Sequence, residues 1–385
     1  LFSKQVMVDE LDFRKMKVNT TNFIHEARVK GSVGMLELKA HGIDLGAETL
    51  KVDAANLKDA MVDVALSDTV PKDTAKTENF WKIHVDKLHV SHTDVTVHMH
   101  GDTLKVQAYL GETIAERGFF DLFKGLYQVE KFDWTGGRLC YDNNFKARVK
   151  GLDYNHIALT DMAIGIDSLR YLAPELSLNL RKCAFKEQSG LAVSALQGPL
   201  SLDSVRLKLP NLYFQTPHSE LHAQVNLDLN AFDEPPGKFH IRMNGAFGKA
   251  DLMPFMTDLP SNLRRQWPNR RLAVSGVLYG NLQQLRFTDL AISLPTVLRL
   301  RGNCTLSHLA DPKRLRGEMT LHARTGRLNM VTAMLDRSLQ QTLHIPDNIS
   351  VDGRVRFTSQ RYEGHLVARQ GQGSVKAEGS FDADR

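Results

Sequence analysis

The stretch Glu220-Leu221-His222-Ala223-Gln224-Val225-Asn226-Leu227-Asp228-Leu229-Asn230 decides the fold class. Apolar and polar residues alternate along it, and successive side chains of a strand point to opposite faces of a sheet. The segment reads as a strand with one face for water and one face turned away from it. Phe239, Ile241 and Met243 repeat the pattern against Lys238, His240, Arg242 and Asn244. Met319, Leu321 and Ala323 repeat it against Glu318, Thr320, His322 and Arg324. Earlier runs are Val95, Val97 and Met99; Leu104, Val106, Ala108 and Leu110; and Leu176, Leu178 and Leu180.

Turn residues punctuate these runs at Gly101-Asp102, Gly136-Gly137, Pro235-Pro236-Gly237, Asp311-Pro312 and Asp352-Gly353. The short spacing predicts antiparallel hairpins and meanders, because βαβ units need a helical pattern between strands. A degenerate internal repeat runs from Asp203 through Val205, Leu207, Leu209 and Pro210 to Leu212 and Phe214. It returns from Asp289 through Leu290, Ile292, Leu294 and Pro295 to Leu298 and Leu300, and more weakly from Asp86 through Leu88 and Val90 to Val95 and Val97. Proline cannot donate to a ladder, so Pro210 and Pro295 are expected at bends or bulges between strands.

Three stretches read as helical interruptions. Ile114, Phe119, Phe120, Leu122, Phe123 and Leu126 form an apolar stripe at helical spacing, which predicts an insertion near residues 112–128. Leu252, Phe255, Leu259 and Leu263 predict short turns broken by Pro254 and Pro260, and Leu328, Val331, Met334 and Leu335 predict a short amphipathic helix. Such helices either cap the apolar face or belong to an ordinary core.

Composition narrows the class. The 385 residues carry 49 basic and 44 acidic side chains, a net charge of +5, with 42% hydrophobic residues. That balance fits folded protein and not intrinsic disorder. No run approaches the roughly 18–20 apolar residues of a membrane helix. The chain opens on Leu1 without a leader-like segment, which suggests a piece of a longer protein with any membrane anchor outside it. Basic pairs at Arg264-Arg265, Arg270-Arg271 and Lys313-Arg314 are not gathered on one face with aromatic residues between them, which argues against nucleic acid. Cys140, Cys183 and Cys304 are odd in number and far apart, so they form neither a disulfide framework nor a zinc site and read as small hydrophobes.

Candidate chemistry is sparse. His84, His89, His92, His98 and His100 crowd one stretch, and His98 and His100 share the polar face of a strand near Asp94 and Asp102. Such a pair can chelate a metal. Thr96 lies in the same row, however, and both acids sit near turns, so a solvated strand face is the plainer reading and no metal or cofactor is expected. Gly371-Gln372-Gly373 has no strand-helix context for a phosphate loop. No nucleophile elbow, Walker loop, zincin pair or dinucleotide fingerprint occurs. Catalytic acids work in pockets that perturb their pKa values. Here the acids and histidines of the clear strands fall on the polar face, so the chain is not expected to be an enzyme. Two arrangements of the apolar face stay open: closed β-sandwiches, or a curved sheet whose greasy face binds acyl chains at about 0.8 kcal/mol per buried CH₂.

The residues also carry a resemblance. Ala250-Asp251-Leu252-Met253-Pro254-Phe255 through Asp258-Leu259-Pro260 leads into Leu272-Ala273-Val274-Ser275-Gly276-Val277-Leu278-Tyr279-Gly280-Asn281-Leu282 and then Thr288-Asp289-Leu290-Ala291-Ile292-Ser293-Leu294. This order of helical plug, hairpin and strand resembles the AsmA-like superfamily, most closely its TamB (translocation and assembly module) branch in the forms found in Bacteroidota. Residues 171–229 are similar in style. The resemblance implies an all-β, elongated, curved antiparallel sheet forming an open hydrophobic groove (β-taco) with a few short amphipathic helices. It divides the chain into N-terminal groove repeats over 1–170 and AsmA/TamB-like groove repeats over 171–385.

It further implies a periplasmic bridge between inner and outer membranes that carries phospholipid, anchored to the inner membrane and meeting an outer-membrane β-barrel partner through regions not in this chain. The implied groove lining is Leu207, Leu209, Leu221, Val225, Leu227, Leu229, Ile241, Met243, Leu290, Ile292, Leu294, Leu298, Leu300, Met319 and Leu321. The alternatives are an assembly chaperone for outer-membrane barrels, which would pair strands along a sheet edge, and a non-catalytic sandwich-type surface protein.

Overall fold

The computed structural model describes residues 5–6, 10–22, 27–66, 80–99, 103–327 and 347–382. The chain divides into two compact units, Leu1–Asp203 and Ser204–Arg385, so the division falls after Asp203 and not after residue 170 as expected.

The first unit holds β1 (Gln5–Val6), β2 (Glu10–Asn22), β3 (Ala27–Asp44), β4 (Thr49–Ala65), β5 (Lys82–Met99), β6 (Leu104–Asp121), β7 (Leu126–Asn143), β8 (His156–Leu172), β9 (Glu175–Glu187), β10 (Ala192–Val193) and β11 (Ala195–Leu202). From β2 to β9 each strand pairs with the next, β1 joins the end of β3, and β10 and β11 share β9. Among the described residues these pairs are antiparallel except β4 with β5, which run parallel. That corrects the expectation of hairpins throughout. Parallel pairing needs a crossover of about a dozen residues or more, and the connection from Leu66 to Trp81 is long enough to supply one.

Strands of up to 18 residues, about 60 Å if fully extended, keep one apolar face only because bulges correct their parity. In β6 the inward residues are Leu104, Val106, Ala108 and Leu110, then Thr113 and Ala115, then Gly118 and Phe120. At each break two successive residues face outward, so the pattern shifts from even to odd and back. The breaks align across neighbours. Asp59, His92, Gly136 and Asp161, in β4, β5, β7 and β8, are all left-handed, with φ of 53°, 47°, 64° and 52°. They form one row, and Gly111 of β6 sits between His92 and Gly136 in it. Arg117 and Ser168, with φ of 52° and 56°, mark a second row. A bulge bends its strand and increases its twist. Bulges in register crease the whole sheet along a line, which curves it into an open groove.

These bulges also explain the failed helix at 112–128. Inward positions 113, 115, 118 and 120 mix spacings of two and three, which imitates a helical stripe, yet the segment is strand, turn and strand. Gly136-Gly137 is likewise no turn but a bulge inside β7. A side chain on Gly137 would run into the Trp134 ring, so the glycine makes room for the indole on the apolar face.

Among the described residues the second unit is an antiparallel meander of ten strands: β12 (Arg206–Gln215), β13 (Glu220–Asp228), β14 (Phe239–Phe247), β15 (Leu272–Gly280), β16 (Gln284–Leu294), β17 (Leu298–Ser307), β18 (Arg316–Thr325), β19 (Ser350–Thr358), β20 (Arg361–Gln370) and β21 (Gly373–Asp382). Each pairs with its successor. Pro210 lies at a register shift inside β12 and Pro295 in the turn after β16, which places both prolines where they were expected in kind. The two repeat copies are not equivalent, because the first is one bulged strand and the second a hairpin. Asp352-Gly353 falls inside β19 and is no turn.

Between β14 and β15 lie the expected short helices: α1 (Lys249–Leu252), a 3₁₀ turn (Met253–Phe255) and α2 (Ser261–Gln266). Buried Asp251 ties this insert to the β12–β13 turn by accepting from Thr216 Oγ1 and Ser219 Oγ. Ser219 Oγ in turn accepts from Gly248 N at 2.9 Å. The helix expected around Leu328–Leu335 lies outside the described residues, as do Gly101 and Asp102. Among the described residues no helix is long and apolar enough to cross a membrane.

Gly136→Ala is expected to destabilise the first unit by about 1–2 kcal/mol, because its φ of 64° lies where an L-residue is strained. Nothing lies within 4 Å of the added carbon, so the cost is conformational. Urea unfolding of wild type and variant measures it.

Candidate functional site

Register decides which side chains share a face, and in the second unit it gathers nearly the whole expected lining. Leu207 and Leu209 of β12 lie opposite Leu227 and Val225 of β13, and Val225 lies opposite Ile241 of β14. Ala223 faces Met243, and Leu221 shares their side of β13. Ile292 and Leu294 of β16 pair with Leu300 and Leu298 of β17. Leu290 faces Gly302, which in turn faces Leu321 of β18, while Met319 pairs with Cys304. Leu229 is the exception. It lies beyond β13 in the turn, 49% exposed, where alternation no longer applies.

The face is larger than the sequence suggested. In the second unit it also takes in Phe239, Val274, Leu278, Phe287, Val351, Val355 and Leu366. The bulge at Thr288-Asp289 (Asp289 φ 53°) explains why β16 switches from Leu285 and Phe287 to Leu290, Ile292 and Leu294. In the first unit Val95, Val97 and Met99 of β5 and Leu104, Val106, Ala108 and Leu110 of β6 do lie on the inner face as their alternation implied, but the rest of the face of β4–β8 was missed and the expected lining named none of it. Val62, Val95, Ala108 and Leu139 form one cross-strand row on it, and Leu57, Val90, Thr113, Trp134 and Ile164 form another. The missed signal was a pair of adjacent polar residues inside an alternating run, such as Lys58-Asp59 or Asp86-Lys87.

This face carries no charged side chain from β4 to β8, nor anywhere on β12–β20. It is only partly covered. Val90, Trp134 and Met162 along the middle of the strands and Val52 near the start of β4 are buried, whereas Val62, Val97, Val106, Leu139, Ile164 and Ile166 stay partly exposed. In the second unit Leu207, Val225, Ile241, Met243, Ile292 and Leu300 are likewise partly exposed. One end of that unit is dry: Ala231, in the loop after β13, packs with Phe239 and Leu285 and is fringed by Leu227, Leu278, Phe287 and Leu306. A closed sandwich would bury the remaining positions as fully.

The acids, histidines, lysines and arginines of these strands sit on the outer face, and many pair with one another there. His89 meets Glu112 at 2.7 Å, His98 meets Asp63 at 3.0 Å, and His92 meets Asp59 at 3.5 Å, each across neighbouring strands. The His84 ring lies tilted against Phe119, with centroids 4.8 Å apart. The histidine-rich stretch is thus shared among carboxylates on different strands, and His100 lies outside the described residues. Among the described residues no three potential metal ligands converge. Cys183 and Cys304 lie on the inner face, and burial pushes both thiols up. Comparison with protein-family models, with curated proteins and with solved structures returns no match. The fold and its face therefore define the class: a one-sided, open β-sheet protein with an uncharged concave surface.

The backbone N–H of Lys238 and the Arg206 guanidinium hold the Asp228 carboxyl below the usual carboxylate range. A depressed folded-state pKa stabilises the fold above the unfolded value of about 3.9 and is lost as pH falls through the folded value. Asp228→Asn should lower the thermal midpoint at neutral pH, and the two midpoints should converge as the medium is acidified below that window. Parallel melts across pH check this.

Proposed function

We propose that the inner faces are lipid-binding grooves, and that the chain is a segment of a bridge-like lipid-transfer protein of the AsmA-like, TamB-branch kind. In this reading it shields phospholipid acyl chains in the periplasm on their way between inner and outer membranes, held by an inner-membrane anchor outside this segment. The observation that carries the reading is a continuous, uncharged apolar face left partly open in each unit. Contiguous exposed apolar surface is costly without an occupant. An occupant matched to a long surface without charges and with few polar groups is a hydrocarbon chain, which gains about 0.8 kcal/mol per buried CH₂. The outer face, with its cross-strand ion pairs, keeps the structure in water. The inner face of these strands carries no acid, histidine, lysine or arginine, and burial pushes the Cys183 and Cys304 thiols up, away from the nucleophilic thiolate, so the proposal is carriage and not catalysis.

Purified protein should carry phospholipid detectable by mass spectrometry, and delipidated protein should bind a fluorescent fatty acid. Val225→Glu in the second unit and Ile166→Glu in the first place a carboxylate on the face at partly exposed positions. Each should weaken binding in its unit by about tenfold or more, because burying an unpaired charge is costly, with the thermal midpoint little changed. Protein that carries no lipid and binds no probe would refute the reading. Bound lipid should also slow alkylation of Cys183 and Cys304 relative to the delipidated protein.

A further inference from the structure

At one end of the strands of the first unit, apolar side chains occupy the chain reversals, where polar residues are the rule. Leu45 sits in the β3–β4 turn, Phe80 just before β5, and Phe123 in the β6–β7 turn, and they are 50%, 43% and 55% exposed. The backbone fixes these points side by side. Lys82 N donates to Glu48 O at 2.9 Å, and Leu122 N donates to Trp81 O at 3.0 Å. Phe80 and Phe123 stack with ring centroids 4.6 Å apart. Phe120, Tyr127 and Tyr171, the last inward residues of β6, β7 and β8 at this end, continue the row, with centroids 6.1 Å apart from each to the next.

Three of the carboxylates around the row are engaged, while Glu48 of the β3–β4 turn stays partly exposed. Asp44 is turned back onto the backbone N–H groups of Gly46 and Ala47, and Asp121 is buried and caps Lys124 N. Glu175 is paired with Arg170. Lys82 and Lys124 stand exposed beside the phenylalanines. A ridge of isolated apolar tips, with tyrosines at its boundary and lysines beside it, has the make-up of a surface that enters the interface of a bilayer. A protein interface core is depleted in lysine, whereas Lys82 and Lys124 stand within this row.

We propose that this rim of the first unit, Leu45, Phe80, Phe123, Tyr127 and Tyr171, inserts into the headgroup and acyl boundary of a phospholipid membrane. Such elements reach about 5–10 Å deep. The tyrosines belong both to the rim and to the uncharged inner face, so a hydrocarbon chain leaving the bilayer here meets no charge on entering the groove. Only that last step rests on the lipid-carrier reading. Docking itself does not.

Flotation of the 385-residue chain with vesicles of phosphatidylcholine, and of phosphatidylcholine with phosphatidylglycerol, tests the proposal. Wild type should float with both, and binding to the neutral vesicles should survive high salt, because the apolar tips carry it. Phe80→Ser and Phe123→Ser should each cut vesicle binding by about tenfold, the scale of one phenylalanine withheld from an apolar phase. Leu45→Ser, in a separate turn, serves as an independent variant. Fluorescent fatty-acid binding should be unchanged in all three. Wild type that does not float, binding abolished by salt, or folded variants that float as wild type would each overturn the proposal. Loss of fatty-acid binding in wild type with flotation intact would instead refute the groove reading and leave the rim standing.

Discussion

Everything in this structure depends on keeping apolar side chains on one face of strands long enough to lose it. Alternation alone holds a face only where no residue is inserted, and a single inserted residue sends the rest of the strand to the other side. Here the insertions are shared. When Asp59 bulges in β4, His92, Gly136 and Asp161 bulge in line with it in β5, β7 and β8, so the whole sheet changes parity together. The face survives, and the aligned kinks curve the sheet.

The electrostatics follow from that geometry. Because polar residues are confined to the outer face, histidines and carboxylates find partners on neighbouring strands there, as His89 does with Glu112 and His41 with Asp53. The bulge residues belong to the same surface, where Arg117 meets Glu130. The inner face is left with Thr93 and Thr113 among its few polar side chains, both buried near the middle of the strands. The separation that gathers ion pairs on one side leaves the other without carboxylates, histidines, lysines or arginines from β4 to β8 and on β12–β20. Under the carrier proposal such a surface selects for hydrocarbon by lacking alternatives.

The second unit was far more legible in the sequence than the first. Leu221, Val225, Leu227, Ile241 and Met243 alternate over runs free of bulges, so parity assigned their face correctly. The switches at Pro210 and at Asp289 were bridged because apolar residues resume visibly on either side. Leu229 was misplaced because the strand ends one residue earlier, a boundary set by the loop that carries Ala231 into the dry cluster. In the first unit two bulges about five residues apart, as in β6, leave runs too short to show a period of two. Phe119 and Phe120 then looked like one helical stripe although they point to opposite faces.

The amino-acid order by itself determined that this is a β-protein with segregated faces, where its short helices lie near Pro254 and Pro260, and that acids and histidines stay off the apolar side. Those properties are local, written in neighbours one to four residues apart. Only the tertiary structure decided that β4 and β5 run parallel, that the bulges fall in rows, and that the apolar face stays partly open instead of closing on a second sheet. Each of these depends on which strands lie side by side and in what register, and hydrogen bonds between distant segments set that relation without leaving a periodic mark on either one.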